Sequence, residues 1–435
     1  MNINRRTFTT GAIAAPLAAA TLAACSNGGG GSGGDAVEAR GEVSVWLSNN
    51  EQEVAWGKAV VEAWNADHPD EQVKAQEIPA GQSSEEAITA AITAGTTPDL
   101  IFNISTAAAP GWVKQGGLID LTTFEDGASY IEERSGAEVA QGYADDEGKY
   151  YLLPWKSNPV MIMFNKDLFE KAGLDPEDPG MNSHESFLEG ARKIVESGAA
   201  PAAIWPSPTN EFFQPWFDFY PLYIAQTDGM QLVEDGASTF TSEDGLTVAE
   251  LWASIYSEGL APKEASTDDA MATSKTAMQS AGPWAISSYK DSFPVGFMPV
   301  PTADGSDAET VKTFADSKNV SMFTTSKNQA TAWDFLKFAT SQEQDGAFLE
   351  ATGQMPLRAG LLDAYPDYFE ENPDYTVFAS QAERVVDVPN IPNSIEVWQT
   401  FRDEYSAAVI FGKEPIEDAL QTAAEKIDQL VQGRS

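Results

Sequence analysis

"VSVWLSNNEQEVAWGKAVVEAW", residues 43–64, changes its period part-way through. Val43–Leu47 is a short apolar run of the kind that forms a buried strand. Farther on, Gly57, Val60, Val61 and Trp64 recur at i, i+3, i+4 and i+7, the spacing of one helix face. Between the two lies Ser48-Asn49-Asn50-Glu51, a polar turn that joins strand to helix.

The same alternation continues along the chain. "PDLIFNI" (98–104) reads as a second buried strand, and "YYLLPW" with "PVMIMFN" as two more, broken at Pro154–Pro159. "ESFLEGARKIVESG" reads as a helix stopped by Gly198. "VGFMPVP" (295–301) is a strand, and "NQATAWDFLKFATS" is a helix with Ala332, Phe335, Leu336 and Ala339 on one face. Near the end, "EPIEDALQTAAEKIDQLVQ" carries Ile416, Leu420, Ala423, Ile427 and Leu430 as a buried stripe. Strands alternating with helices indicate α/β layers. With 435 residues the chain is long enough for two domains, each with its own core.

Charge excludes more than it names. There are 26 Lys+Arg against 66 Asp+Glu, a net charge of −40, dispersed along the chain. Such a field repels nucleic acid and anionic lipid surfaces. One cysteine, Cys25, cannot form an internal disulfide or a thiolate metal cluster.

Cys25 instead closes a targeting segment. Arg5-Arg6 precede the short apolar run "GAIAAPLAAATLAA", and Leu22-Ala23-Ala24-Cys25 resembles the lipobox of bacterial lipoproteins, where the thiol is lipidated and the chain is cut before it. Residues 1–24 are therefore expected to be a signal peptide. Either the general secretory or the twin-arginine route fits "NRRTFTT". Residues 25–41, rich in Gly and Ser, are expected to be a flexible tether behind the lipidated cysteine. No apolar stretch after residue 25 is long enough to span a membrane.

Enzyme motifs are missing. The two histidines, His68 and His184, are isolated in sequence, and no H-E-x-x-H, G-x-S-x-G or P-loop pattern occurs. "EDGLTVAE" and "DDEGK" lack calcium-loop spacing, so neither a metal nor a cofactor is expected. What stands out is tryptophan beside proline, glycine and amides: Trp155 in "LLPWKSNP", Trp216 in "NEFFQPWFDF", Trp284 in "AMQSAGPWAI" and Trp398 in "PNIPNSIEVWQTFRDEY". These read as lying at loops or element ends, whereas Trp56, Trp64, Trp252 and Trp333 fall on helix stripes and are assigned to the core. An indole plate matches the C–H face of a pyranose, and nearby Asn, Lys, Glu and Arg can bind its hydroxyls.

At these residues the sequence resembles the solute-binding proteins of ABC importers, the extracellular sugar-binding family that includes maltodextrin-binding protein. "GTTPDLIF", "GWVKQGGLIDL", "FNKDLFEKAGLD", "AMQSAGPWAI", "MPVP", "SKNQATAWDFLKFAT", "GQMPLR" and "PNIPNSIEVW" with "EPIEDALQTAAEKI" follow the family's motifs in order from about residue 42. The resemblance implies a two-lobed periplasmic-binding-protein-like α/β fold, with a hinge and an interlobe ligand cleft. The lobes are expected at 42–154 plus 310–353 and at 155–309 plus 354–435. Candidate hinge segments are Pro154–Pro159, 302–314 and 353–358. The family pattern implies aromatic plates at Trp216, Trp284 and Trp398, a polar cleft residue at Arg402 and a hydroxyl-binding loop at Ser48, Asn49, Asn50 and Glu51. Trp155 and Lys156 join that candidate set. Asn158 stands where maltodextrin binders have a carboxylate and Asn103 where they have a tryptophan, which argues against maltodextrin itself.

The expected function is a monomeric, lipid-anchored receptor that binds an oligosaccharide and delivers it to a transmembrane permease at the outer face of the cell membrane, with no nucleic-acid partner. Two alternatives stand beside it: a binder of a non-sugar solute, such as a polyol phosphate or a polyamine, and a secreted glycoside hydrolase. A polyamine site would want acids beside its aromatics, and a phosphate site an arginine pair or a helix N-terminus. The candidate loops are richer in Asn, Ser and Gln, which favours a neutral sugar.

Overall fold

The computed structural model describes residues 37–433 apart from 80–82, 146, 207–208 and 383. The expected signal peptide, Cys25 and most of the tether lie outside the described residues.

Ten of the fourteen strands among the described residues build two main sheets, and the other four form two two-stranded ribbons. In chain order the ten are β1 (Val43–Leu47), β2 (Val73–Glu77), β3 (Leu100–Ser105), β4 (Leu153–Ser157), β5 (Met161–Asn165), β6 (Ala202–Ile204), β7 (Thr276–Ala281), β8 (Val295–Met298), β9 (Lys318–Met322) and β10 (Met355–Pro356). The first sheet has the order β10-β4-β9-β3-β1-β2 and the second β8-β5-β7-β6. The helices that matter for the site are α1 (Glu51–Asp67), α2 (His184–Glu196), α3 (Phe219–Gln226), α4 (Glu243–Ser257), α5 (Trp284–Tyr289), α6 (Gln329–Ala339), α7 (Gln342–Thr352), α8 (Ser394–Tyr405) and α9 (Ile416–Val431).

The two-residue period of a strand explains the layering of the first lobe. Val43, Val45 and Leu47 of β1 pack with Trp56 and Trp64 of α1 and with α6 and α7, whereas Trp46 faces the opposite layer with Ile88 and Trp112. On β3, Leu100 and Phe102 keep to the first layer and Ile101 to the second. Asn103 then breaks the parity: its φ is +66°, the pairing with β9 slips in register there, and Ile104 joins Ile101. Asparagine is among the few residues that enter the left-handed region at low cost. The second lobe has its own core around Phe164, Phe187, Tyr220, Trp252, Phe314 and Phe401.

The chain crosses between the sheets near Asn158–Val160 and again near Ala315–Ser317. These two passages run side by side: Val160 N–H donates to Phe314 C=O at 2.9 Å and Asp316 N–H to Asn158 C=O at 3.1 Å. A third passage follows β10. The expected boundaries shift accordingly. β4, including Trp155 and Lys156, pairs within the first sheet, as does β10, while Thr313–Phe314 pairs with Val385–Val386 beside the second core. Pro154 does not break the strand; a register slip in β9 opposite it accommodates the missing N–H. Residues 302–314 lie before the crossing.

Candidate functional site

β1 and β3 are parallel, and β9 is antiparallel to both β3 and β4. The carboxyl ends of β1, β3 and β4 therefore share one edge of the first sheet, which gathers Ser48, Thr106 and Asn158. In open α/β sheets ligands bind outside that edge.

The turn after β1 caps α1. Asn50 Oδ1 accepts from the N–H groups of Gln52 and Glu53 at 3.0 and 3.1 Å, and Ser48 Oγ accepts from Asn50 N–H at 3.0 Å. Asn49, Asn50 and Glu51 are exposed, and Ser48 is buried. The Asn50 carbonyl oxygen is thus committed to the helix, which leaves its amide N–H groups for a ligand. One turn into α1, Glu53 is buried against Lys156 of β4, with which it forms an ion pair. Gln354 completes the cluster: its Nε2 donates to Glu53 at 2.6 Å, and its Oε1 accepts from Lys156 at 2.9 Å and Asn158 at 3.0 Å. Burial by itself pushes the Glu53 carboxyl up. The Lys156 ammonium and the Gln354 donor outweigh that and hold it below the usual carboxylate range. Burial also lowers the Lys156 ammonium. The cluster is not closed: Glu53 Oε2 and Asn158 Oδ1 are buried and lack a hydrogen-bond partner. Buried acceptors of this kind are costly unless something donates to them.

The second lobe brings an aromatic corner close to α1. Trp284 opens α5, half-buried, and meets the half-buried Phe217 edge-on at 6.5 Å. Gly282 permits this: a Cβ there would lie 2.0 Å from the Trp284 ring. One turn along α5, Ser287 Oγ reaches Gln52 Oε1 of α1 at 3.5 Å, so the lobes touch at this point. A polar turn from one lobe thus lies near an aromatic corner of the other.

Several expected site residues lie elsewhere, each for a packing reason. Trp155 is 1% exposed and sits in the first core, stacked on Trp56 at 5.6 Å and against Phe102 and Phe348. Trp216 and Trp398 are 3% and 0% exposed and meet edge-on at 5.7 Å inside the second core. Trp398 belongs to a helix stripe after all, with Val397, Phe401 and Tyr405 along the buried face of α8. In this lobe arrangement none of the three is a free stacking plate. Asn103 sits at the bulge of β3, where its left-handed backbone accounts for the residue type. Arg402 is buried, pairs with Asp403 and lines a separate cavity of about 610 Å³ with Thr209, Asn210, Lys263, Phe411 and Lys413. Its Nε has no partner.

Glu53, Gln354, Gln52, Phe217 and Ser287 were not singled out by the sequence. Gln354 lies inside the family motif "GQMPLR" and Phe217 directly follows Trp216, so the neighbourhood was marked and the residue was not. Among the described residues no group of three His, Cys, Asp or Glu side chains could hold a metal ion, and no helix is long and apolar enough to cross a membrane.

The family model for bacterial extracellular solute-binding proteins matches residues 59–377. The chain belongs to this family. It is a binding protein, not an enzyme, and its place is outside the cytoplasm. Among curated relatives, this solute-binding protein is 26% identical over 385 residues to the diacetylchitobiose binding protein DasA of Streptomyces coelicolor, covering 82% of each chain. It is 23% identical over 402 residues to the sn-glycerol-3-phosphate-binding periplasmic protein UgpB of Escherichia coli, covering 86% of this chain and 88% of that one. The crystal structure of the cyclic alpha-maltosyl-1,6-maltose binding protein from Arthrobacter globiformis matches with a TM-score of 0.75 at 22% identity, covering 91% of this chain and 100% of that one. The two-lobed fold expected from the sequence is the fold of that structure.

Proposed function

We propose that this solute-binding protein is a monomeric receptor, held to the membrane by a lipid on Cys25, that takes an oligosaccharide between its lobes and passes it to the permease of an ABC importer. The observation that carries this reading is where the lobes meet. On one lobe the Ser48–Glu51 turn and the open acceptors of Glu53 and Asn158 gather at a sheet edge, and α1 of that lobe touches α5 of the other, which carries the Trp284–Phe217 corner. A sugar has hydroxyls for the first and a C–H face for the second. The names of DasA and of the Arthrobacter protein, both with sugar ligands, support the class. Ligand contacts to both lobes would favour the closed arrangement, the form a permease can distinguish from the empty one.

A polyol phosphate is the second reading. It rests on the cavity at Arg402, where Lys263 and Lys413 join a guanidinium with an unpartnered Nε, and on the likeness to UgpB.

Titrating the chain from residue 35 with neutral oligosaccharides and with sn-glycerol 3-phosphate, by tryptophan fluorescence and calorimetry, separates the two. We expect a saturable response to an intact sugar. Trp284→Ala should weaken it by about thirtyfold, the loss of about 2 kcal/mol typical of a central aromatic anchor. Binding of the phosphate alone, abolished in Lys263→Ala/Lys413→Ala, would replace the first reading with the second.

A further inference from the structure

Behind the hinge lies a groove of about 1360 Å³ with walls from both lobes, and Asp387 stands in it. We propose that Asp387 is a positioning residue for the lobe equilibrium: it pins the lobes in the arrangement seen here, and proton uptake tightens the pin. This inference does not depend on which solute is bound.

The hydrogen bonds give Asp387 two faces. Its Oδ2 accepts from Thr106 Oγ1 at 2.9 Å and from the Tyr143 hydroxyl at 3.0 Å, both on the first lobe. Thr106 is itself tied to the first sheet, where it accepts from Asn319 Nδ2 at 3.0 Å. The Asp387 backbone carbonyl accepts from the Tyr220 hydroxyl and from Gln231 Nε2, each at 3.0 Å, and Val388 is buried in the second core. One residue therefore bonds to both lobes, close to the two side-by-side passages of the hinge. Any rotation that parts Thr106 and Tyr143 from Tyr220 must break one set of these contacts.

The surroundings set the sign. Lys318 of β9 is the facing cation, and it is already paired with Asp316 at 2.6 Å. Tyr143 and Tyr220 face Asp387 as neutral phenols, and Glu234 lies on the second-lobe wall beside Tyr220. Glu138, Arg358 and Asp363 line the groove farther off. Burial thus wins over the Val388, Thr106 and Tyr143 donors and over Lys318, and the carboxyl is pushed up from 3.8 to about 6. A raised acid binds its proton more tightly in the docked arrangement than in one that returns it to water. The docked arrangement therefore gains as pH falls through 6 and loses that gain as pH rises.

The test needs no ligand. Spin labels at Lys58→Cys and Lys193→Cys, both exposed and on different lobes, are placed in the chain carrying Cys25→Ser. Pulsed dipolar spectroscopy then gives the ratio of docked to opened populations between pH 7.5 and 5. From a carboxyl near 6 when docked and 3.8 when free, the ratio should rise about tenfold over this range. Asp387→Asn should hold the ratio flat, and Tyr143→Phe should lower the docked fraction at every pH while keeping the titration. His184 stays out of the window, since burial depresses it to about 4. A wild-type ratio that ignores pH overturns the proposal, and so does a titration that survives in Asp387→Asn. Should that variant fail to melt cooperatively, Tyr143→Phe decides alone, and an unchanged docked fraction overturns the proposal.

Discussion

Two buried charge clusters meet on β4 and β10, and they are finished differently. In the first, Arg134 spends all five guanidinium donors. Nε donates to Thr340 C=O, Nη1 to the carbonyls of Pro154 and Leu357, and Nη2 to Trp155 C=O and to Asp345 Oδ1. Arg358 Nε takes the other Asp345 oxygen at 2.9 Å. In the second, Lys156, Glu53, Gln354 and Asn158 are as deeply buried, yet Glu53 Oε2 and Asn158 Oδ1 are left without donors. A cluster that serves only the fold closes its hydrogen bonds, because each open one costs stability. A cluster that keeps open acceptors at a sheet edge facing another lobe is arranged for something that arrives later.

The largest expected effect comes from breaking the closed cluster. Arg134→Met takes its donors from the Pro154 and Leu357 carbonyls, leaves Thr340 C=O to Arg358 and Tyr130 and Trp155 C=O to the Leu357 N–H, and leaves Asp345 to Arg358 alone. Urea unfolding should show a loss of about 3–5 kcal/mol, while the affinity of the folded fraction for its solute changes little. A loss below about 1 kcal/mol would remove the distinction between the clusters.

The open cluster should respond the other way round. Glu53→Gln leaves the Lys156 ammonium buried without its counter-charge and should lower stability by about 1–3 kcal/mol. Adding Lys156→Met removes the stranded charge and should restore most of that stability, but solute binding should stay at least tenfold weaker. If the double variant binds like the wild type, the cluster belongs to the fold and the site lies elsewhere.

The contrast also marks what the sequence could reveal. Period-2 and period-3.6 patterns are local, so β1, α1 and α9 were legible, as was the burial of Trp56, Trp64, Trp252 and Trp333. Gln354 and Glu53 are 301 residues apart, and no local pattern links them. Trp398 was misread because the proline-rich run before it looks like a loop, whereas the helix starts at Ser394 and carries the indole inward. Trp155 was misread for a similar reason: the prolines on either side suggested a break, and the strand runs through the first of them. Both errors take proline as the end of an element where the partner strand or the next helix absorbs it.

Asp218 sharpens the comparison with a third kind of buried acid, one that has no cation. Gln214 Nε2 and, at 2.5 Å, the Phe219 N–H donate to it, the Tyr405 hydroxyl adds a weaker stabilising contact, and it is fully buried. Burial prevails, and the carboxyl is pushed up from 3.8 to about 7. Between those values the folded chain holds a proton that the unfolded chain releases, so stability falls as pH rises through the interval. His184 acts in the opposite direction: burial lowers it from 6.5 to about 4, so it costs stability as pH falls between them. Asp218→Asn is neutral at every pH. Its oxygen can still accept from Phe219, and its amide can donate to Gln214 Oε1, which is buried and unpartnered. Relative to the wild type, the variant should therefore be about 2–3 kcal/mol better off at pH 8, where the wild type carries a buried charge, than at pH 5. Urea midpoints at the two pH values decide it. Parallel behaviour of variant and wild type would mean that Asp218 is solvated well enough to ionise freely, and that neutral donors alone can close a buried carboxylate.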